Sequence, residues 1–118
     1  MSKFTQGAEF INIEKHGSMI SITFKVRTGP IFWNYFSFGW NQSEFQEFLN
    51  AIQNKDKSVI GINTLTQKAY VKFTGFPRGT PVSVYLSEWF LVFGKSCTML
   101  IEQEVLEGIL NEYGNVTT

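Results

Sequence analysis

The stretch "IFWNYFSFGWNQSEFQEFLNAI" changes its hydrophobic period midway, and that change constrains the fold more than any other feature of the chain. Six aromatic residues lie among the ten from Ile31 to Trp40. Extended backbone sends alternate side chains to opposite faces, so Phe32, Phe36, Phe38 and Trp40 fall on one side with Asn34 between them; Ile31, Trp33 and Tyr35 take the other. At Asn41 the period becomes helical. Asn41 can cap the first turn, Glu44 completes a capping box, and Trp40 is placed to staple onto Phe45. Phe45, Phe48, Leu49 and Ile52 then form one buried stripe, while Gln46, Glu47 and Asn50 face outward. The spacing predicts a strand feeding directly into a helix, with most of the rings serving as core and helix entry. Trp33 and Tyr35 are left as the rings available to a partner. A stacking platform for single-stranded nucleic acid wants cations beside its rings, and residues 31–40 contain no Lys or Arg.

The opening "AEFINIEKHGSMISITFKV" reads as a hairpin with a two-residue turn at His16 and Gly17, which sets Ile13 opposite Ile20 and Ile11 opposite Ile22. After the helix, "KSVIGIN", "KAYVKFT", "PVSVYLS" and "WFLVFG" read as antiparallel strands, because the spacings leave no room for crossover helices. Val71, Phe73, Val82, Val84 and Leu86 point inward, Gly94 and Lys95 make a further hairpin turn, and Arg78 sits on an exposed loop between Pro77 and Gly79. A second amphipathic helix runs from Glu102 to Tyr113, with Val105, Leu106, Ile109, Leu110 and Tyr113 inward and Gly114 ending it. Within that helix Gly108 offers room for a close neighbour. The expected architecture is a single α+β domain over residues 1–118, mainly an antiparallel sheet of about seven or eight strands with one central and one C-terminal helix.

Ten basic and ten acidic side chains cancel. Averaged over the molecule, this gives no positive field of the kind that gathers nucleic acid or an anionic membrane, so the expectation is no direct nucleic-acid binding and no membrane association. The charge is uneven along the chain, with five bases against one acid from 55 to 87 and one base against five acids from 88 onward. That asymmetry can steer a charged partner, or cancel where the two segments meet in the fold. The only cysteine, Cys97, has no internal disulfide partner, and the amino-terminal residues have no signal-like apolar run. A reducing, cytoplasmic setting is expected.

No catalytic or cofactor pattern stands out. "FGKS" at 93–96 resembles the end of a phosphate-binding loop, but the position five before Gly94 holds Trp89 rather than glycine. His16, the sole histidine, falls at a turn without a second ligand, and Cys97 has no visible base. Glu44 and Glu47 are accounted for by helix capping and solvation. The expectation is a non-enzymatic protein without metal or cofactor.

The aromatic strand running into "YFSFGWNQSEFQEFLNAI", the meander after it and the closing "TMLIEQEVLEGILNEYG" resemble small bacterial immunity proteins of contact-dependent-inhibition and wall-associated toxin systems. The resemblance implies a cytoplasmic protein that binds and neutralises a cognate toxin domain. Against a basic nuclease toxin, the acidic carboxy-terminal segment nominates Glu102, Glu104, Glu107 and Glu112, helped by Glu88 and the rings of Trp33 and Tyr35, while Arg78 on its turn can anchor an acidic partner. Two alternatives are a small module that holds an apolar ligand on the concave side of its sheet, and a mobile-element inhibitor of a host defence enzyme.

Overall fold

The computed structural model of the protein describes residues 2–75 and 82–114. It is an α+β fold of eight strands and two helices. The strands are β1 (Ser2–Gln6), β2 (Glu9–His16), β3 (Met19–Arg27), β4 (Trp33–Trp40), β5 (Lys57–Asn63), β6 (Gln67–Thr74), β7 (Val82–Phe90) and β8 (Phe93–Ile101). Helix α1 (Gln42–Asn54) follows β4 and α2 (Gln103–Tyr113) follows β8. β1 to β4 form one four-stranded antiparallel meander and β5 to β8 a second. The chain is therefore one unit, a four-stranded meander followed by a helix, used twice. No helix among the described residues is long and apolar enough to cross a membrane.

Register assigns each side chain its face. Ile11, Ile13, Ile20, Ile22, Phe24, Val26, Phe36, Phe38 and Trp40 share the inner face of the first sheet. Ile60, Val71, Phe73, Val84, Leu86 and Met99 share that of the second. With Phe45, Phe48, Leu49, Ile52, Val105, Leu106 and Ile109 from the helices they make one continuous core. Its centre is aromatic: Phe48 lies 5.4 Å from the Trp40 ring and 5.8 Å from Phe73, bridging the two sheets. Gln6 adds a polar stitch, donating to the Leu100 carbonyl at 2.6 Å and accepting from the Glu102 amide at 2.9 Å, which ties β1 to the β8–α2 junction.

The capping box of α1 forms as its sequence dictates. The Asn41 side chain accepts from the Glu44 amide at 2.8 Å, and the Glu44 carboxylate accepts from the Asn41 amide at 3.1 Å. Trp40 is fully buried against Phe38 and Phe48. α2 begins one residue later than expected, with Glu102 as its N-cap, and the space above Gly108 is filled by the Phe4 ring rather than by backbone.

Three local expectations need correction. The first hairpin turns at Gly17 and Ser18, with Gly17 at φ +64°, so Ile13 faces Ile22 and Ile11 faces Phe24. The register moves by two residues, which leaves every side chain on its expected face. The second correction concerns "VSVYLSEWF", a single strand; the turn into β8 lies at Leu91 and Val92, three residues before Gly94. Leu91 takes φ +57°, and its amide donates to the Thr66 carbonyl at 2.7 Å, so the neighbouring β5–β6 turn anchors it. Gly94 instead sits within β8 beneath an indole: an added Cβ would collide with the Glu88 carbonyl and stand 2.6 Å from Trp89. Third, Phe32 precedes β4 and is exposed rather than sharing the inner row.

These packing assignments predict that Trp40→Ala lowers unfolding free energy by about 3–5 kcal/mol. Gly94→Ala costs about 1–3 kcal/mol through overpacking against Trp89 and the strand backbone. Urea denaturation followed by circular dichroism measures both.

Candidate nucleic-acid interface

With the apolar rows of both sheets turned toward each other and the helices, the opposite face of each sheet is left to solvent. The first outer face carries Lys3, Phe10, Lys25, Arg27, Trp33 and Tyr35. Phe10, Lys25 and Tyr35 form one cross-strand row, and Arg27 pairs with Trp33 in the next. The Lys25 ammonium stands 5.2 Å from the Trp33 ring centroid, 5.8 Å from Phe10 and 6.0 Å from Tyr35; Lys3 lies 4.3 Å over Phe10. Phe10 and Tyr35 meet edge to face at 6.3 Å. Trp33 is 38% exposed and Tyr35 50%. Arg27 donates from its guanidinium to the carbonyls of Gly29 and Pro30, which holds the loop before β4 beside the rings.

The second outer face repeats the composition with different residues. Val59, Lys72, Tyr85 and Thr98 form one cross-strand row; Asn63, Lys68, Trp89 and Gly94 form another; Gly61, Tyr70, Ser87 and Ser96 lie between them. Lys57 adds a third ammonium at the β5 edge. Tyr70 and Tyr85 stand 6.2 Å apart, and Tyr85 and Trp89 are each 36% exposed. An open groove of about 330 Å³ runs between Tyr70, Lys72, Thr74, Ser83, Tyr85 and Thr98. A second, of about 590 Å³, shares Lys72 and Thr74 with it and reaches the β5 edge through Lys57 and Val59.

Charge is thereby sorted by face. Six of the ten basic residues, Lys3, Lys25, Arg27, Lys57, Lys68 and Lys72, project from the outer faces, and of the ten acids the register places only Glu14 there. Glu14 stands at the far end of its sheet with His16 at 3.2 Å. Glu9 is turned to the rim, where it accepts from Gln6 and from the Arg27 amide. Glu44 and Glu47 are on α1, and Glu104, Glu107 and Glu112 on α2. A zero sum over the chain thus conceals two basic aromatic faces.

The residues nominated from sequence separate into groups. Trp33 and Tyr35 come together on the first outer face. Glu104, Glu107 and Glu112 lie exposed on α2 behind the N-cap Glu102, and Glu112 accepts from the Ser2 hydroxyl at 2.6 Å. Glu88 pairs with Lys95 at 3.7 Å, six residues along β7 from the end that meets α2, or roughly 20 Å at ~3.3 Å per residue. It does not extend the α2 cluster. Arg78 lies outside the described residues. Sequence reasoning passed over Lys3, Phe10, Lys25, Lys57, Lys68, Tyr70, Lys72, Tyr85 and Trp89. Their signal is alternation, since Lys68, Tyr70 and Lys72 occupy every second position of one strand and share a face.

Neither a protein-family model nor a curated protein or solved structure matches the chain.

Cys97 faces the core side of β8, half-buried opposite Leu86. Burial pushes its thiol pKa up, the nearby Glu9 carboxylate adds to the rise, and Lys95 opposes it. A raised pKa means less thiolate at any given pH below it. Cys97 is therefore expected to react with a disulfide reagent at pH 8 more slowly than free cysteine, with a rate still climbing above pH 9. A rate equal to that of the denatured chain contradicts the assignment.

Proposed function

We propose that the protein binds single-stranded nucleic acid on the outer faces of its sheets. The observation that carries this reading is the pair of exposed rings interleaved with three cations on each face, Trp33 and Tyr35 on the first and Tyr85 and Trp89 on the second, with Glu14 the one carboxylate that the register puts on either face. Unpaired bases stack on aromatic rings whatever their identity, and ammonium and guanidinium groups meet the phosphates between them. On the first face an incoming base takes the ring surface now shared with Lys25 or Lys3, and the displaced ammonium turns to the phosphate. A duplex hides the flat surfaces of its bases and gains only the electrostatic part of this interaction. The acidic helices turn away from the strand and orient its approach.

Trp33 and Trp89 report directly on such binding. Oligo-dT quenches their fluorescence, and log Kd against log salt has a slope of about 2 if one face engages three phosphates, at ~0.7 per phosphate for single strands. Tyr35→Ala and Tyr85→Ala each cost about 1–3 kcal/mol at the affected face. Lys25→Gln and Lys72→Gln lower the salt slope there by about 0.7. No quenching at low salt, or equal affinity for duplex and single strand, contradicts the proposal.

The exposed carboxylates of α2 favour a second reading, in which the chain is an immunity protein and Glu102, Glu104, Glu107 and Glu112 face a basic toxin domain. Charge reversal at Glu104 and Glu107 separates the two: it leaves oligonucleotide affinity in place under the first reading and abolishes toxin neutralisation under the second.

A further inference from the structure

We infer that one molecule holds two single strands at once, one on each outer face, and so bridges two strands or two segments of one strand. This rests on the single-strand reading above and adds a stoichiometry and an activity to it.

The argument begins with the repeated unit. Each four-stranded meander turns its apolar row inward, and the Phe48 ring touches Trp40 of one sheet and Phe73 of the other. The Lys95 ammonium of the second sheet stands 5.2 Å from the Phe36 ring of the first, so the inner faces meet directly. The outer faces therefore lie on the far sides of one shared core, to which both inner rows and both helices contribute. A strand lying flat on one face has no access to the rings of the other.

Each face is also complete by itself. The first has the exposed rings Trp33 and Tyr35 beside Phe10, with Lys3, Lys25 and Arg27; the second has the exposed rings Tyr85 and Trp89, with Tyr70 buried beside Tyr85, and Lys57, Lys68 and Lys72. Two exposed rings and three cations per face make two comparable platforms rather than one site divided between sheets. The α2 carboxylates and the Glu44 and Glu47 side of α1 flank the route around the molecule's helical side, which disfavours one strand wrapping from face to face there. Two short strands held back to back are the arrangement this distribution favours. Bringing two strands onto one protein raises their effective concentration and promotes pairing when they are complementary.

The test uses two non-complementary dT-rich oligonucleotides of about eight nucleotides, within the ~4–16 nucleotides that a single platform of this kind spans. One carries a donor dye and the other an acceptor. With the full chain, energy transfer should appear, peak near two oligonucleotides per protein chain and fall when protein is in excess. Lys25→Gln with Tyr35→Ala should remove one site, giving a stoichiometry of one and no transfer, with binding retained on the second face. Lys72→Gln with Tyr85→Ala should do the same from the other side. Circular dichroism establishes that each variant is folded, and the single Lys→Gln changes, which remove no ring from the surface, should show the same trend more weakly.

Saturation at one oligonucleotide per chain without transfer, while binding is otherwise intact, overturns the bridging inference and leaves the single-strand reading standing. Transfer abolished by one pair of substitutions and untouched by the other overturns it too, because bridging would then come from one face on each of two associated chains. Absence of any oligonucleotide binding overturns the underlying reading as well.

Discussion

The inward packing of two four-stranded sheets around the α1 aromatic residues is the constraint from which the rest of this molecule follows. Phe48, held between Trp40 and Phe73, joins the halves at the centre of the core. Because each strand alternates, committing one row of side chains to that contact commits the next row to the opposite face. Among the described residues no helix is left over to cover those faces, since α1 and α2 contribute their own apolar stripes to the same core. The exposed rings of the outer faces, Trp33 and Tyr35 on one sheet and Tyr85 and Trp89 on the other, are thus a product of the same register that builds the interior.

Much of the interior was legible from periodicity. The capping box at Asn41 and Glu44 forms through both of its hydrogen bonds, and Phe45, Phe48, Leu49 and Ile52 are buried as their helical spacing requires. Val71, Phe73, Val82, Val84 and Leu86 face inward as alternation demands. The repeated architecture was not legible, for two physical reasons. β1 is only five residues long and places no large apolar side chain fully in the core, its nearest approach being a partly buried Phe4. At the other hairpin, glycine and lysine carry the chemistry of a turn, whereas the actual turn uses Leu91 in a left-handed conformation because the Thr66 carbonyl holds its amide. Without β1, and with the β7–β8 turn misplaced, a chain of two equal halves reads as one irregular meander.

The site was less legible than the core, because charge summed along a sequence differs from charge sorted by a sheet. Residues 31–40 contain no cation, yet the strand beside them supplies Lys25 and Arg27 at the positions facing Tyr35 and Trp33. Such a pairing is set by register between strands and is invisible in either strand alone. The carboxy-terminal acids, so prominent in the linear charge count, divide between α2 and the distant Glu88–Lys95 pair. Outward alternation of Lys68, Tyr70 and Lys72 was the one local sign of the second platform.

Residue-resolved amide shift mapping tests the central claim most directly, with oligo-dT titrated into the isotope-labelled protein at low salt. The account predicts that the largest shifts fall on outer-face positions of both sheets, among them Lys25, Tyr35, Lys72 and Tyr85, while Glu104 and Glu107 of α2 stay unmoved. Shifts confined to α2, or none at saturating oligonucleotide, would contradict it.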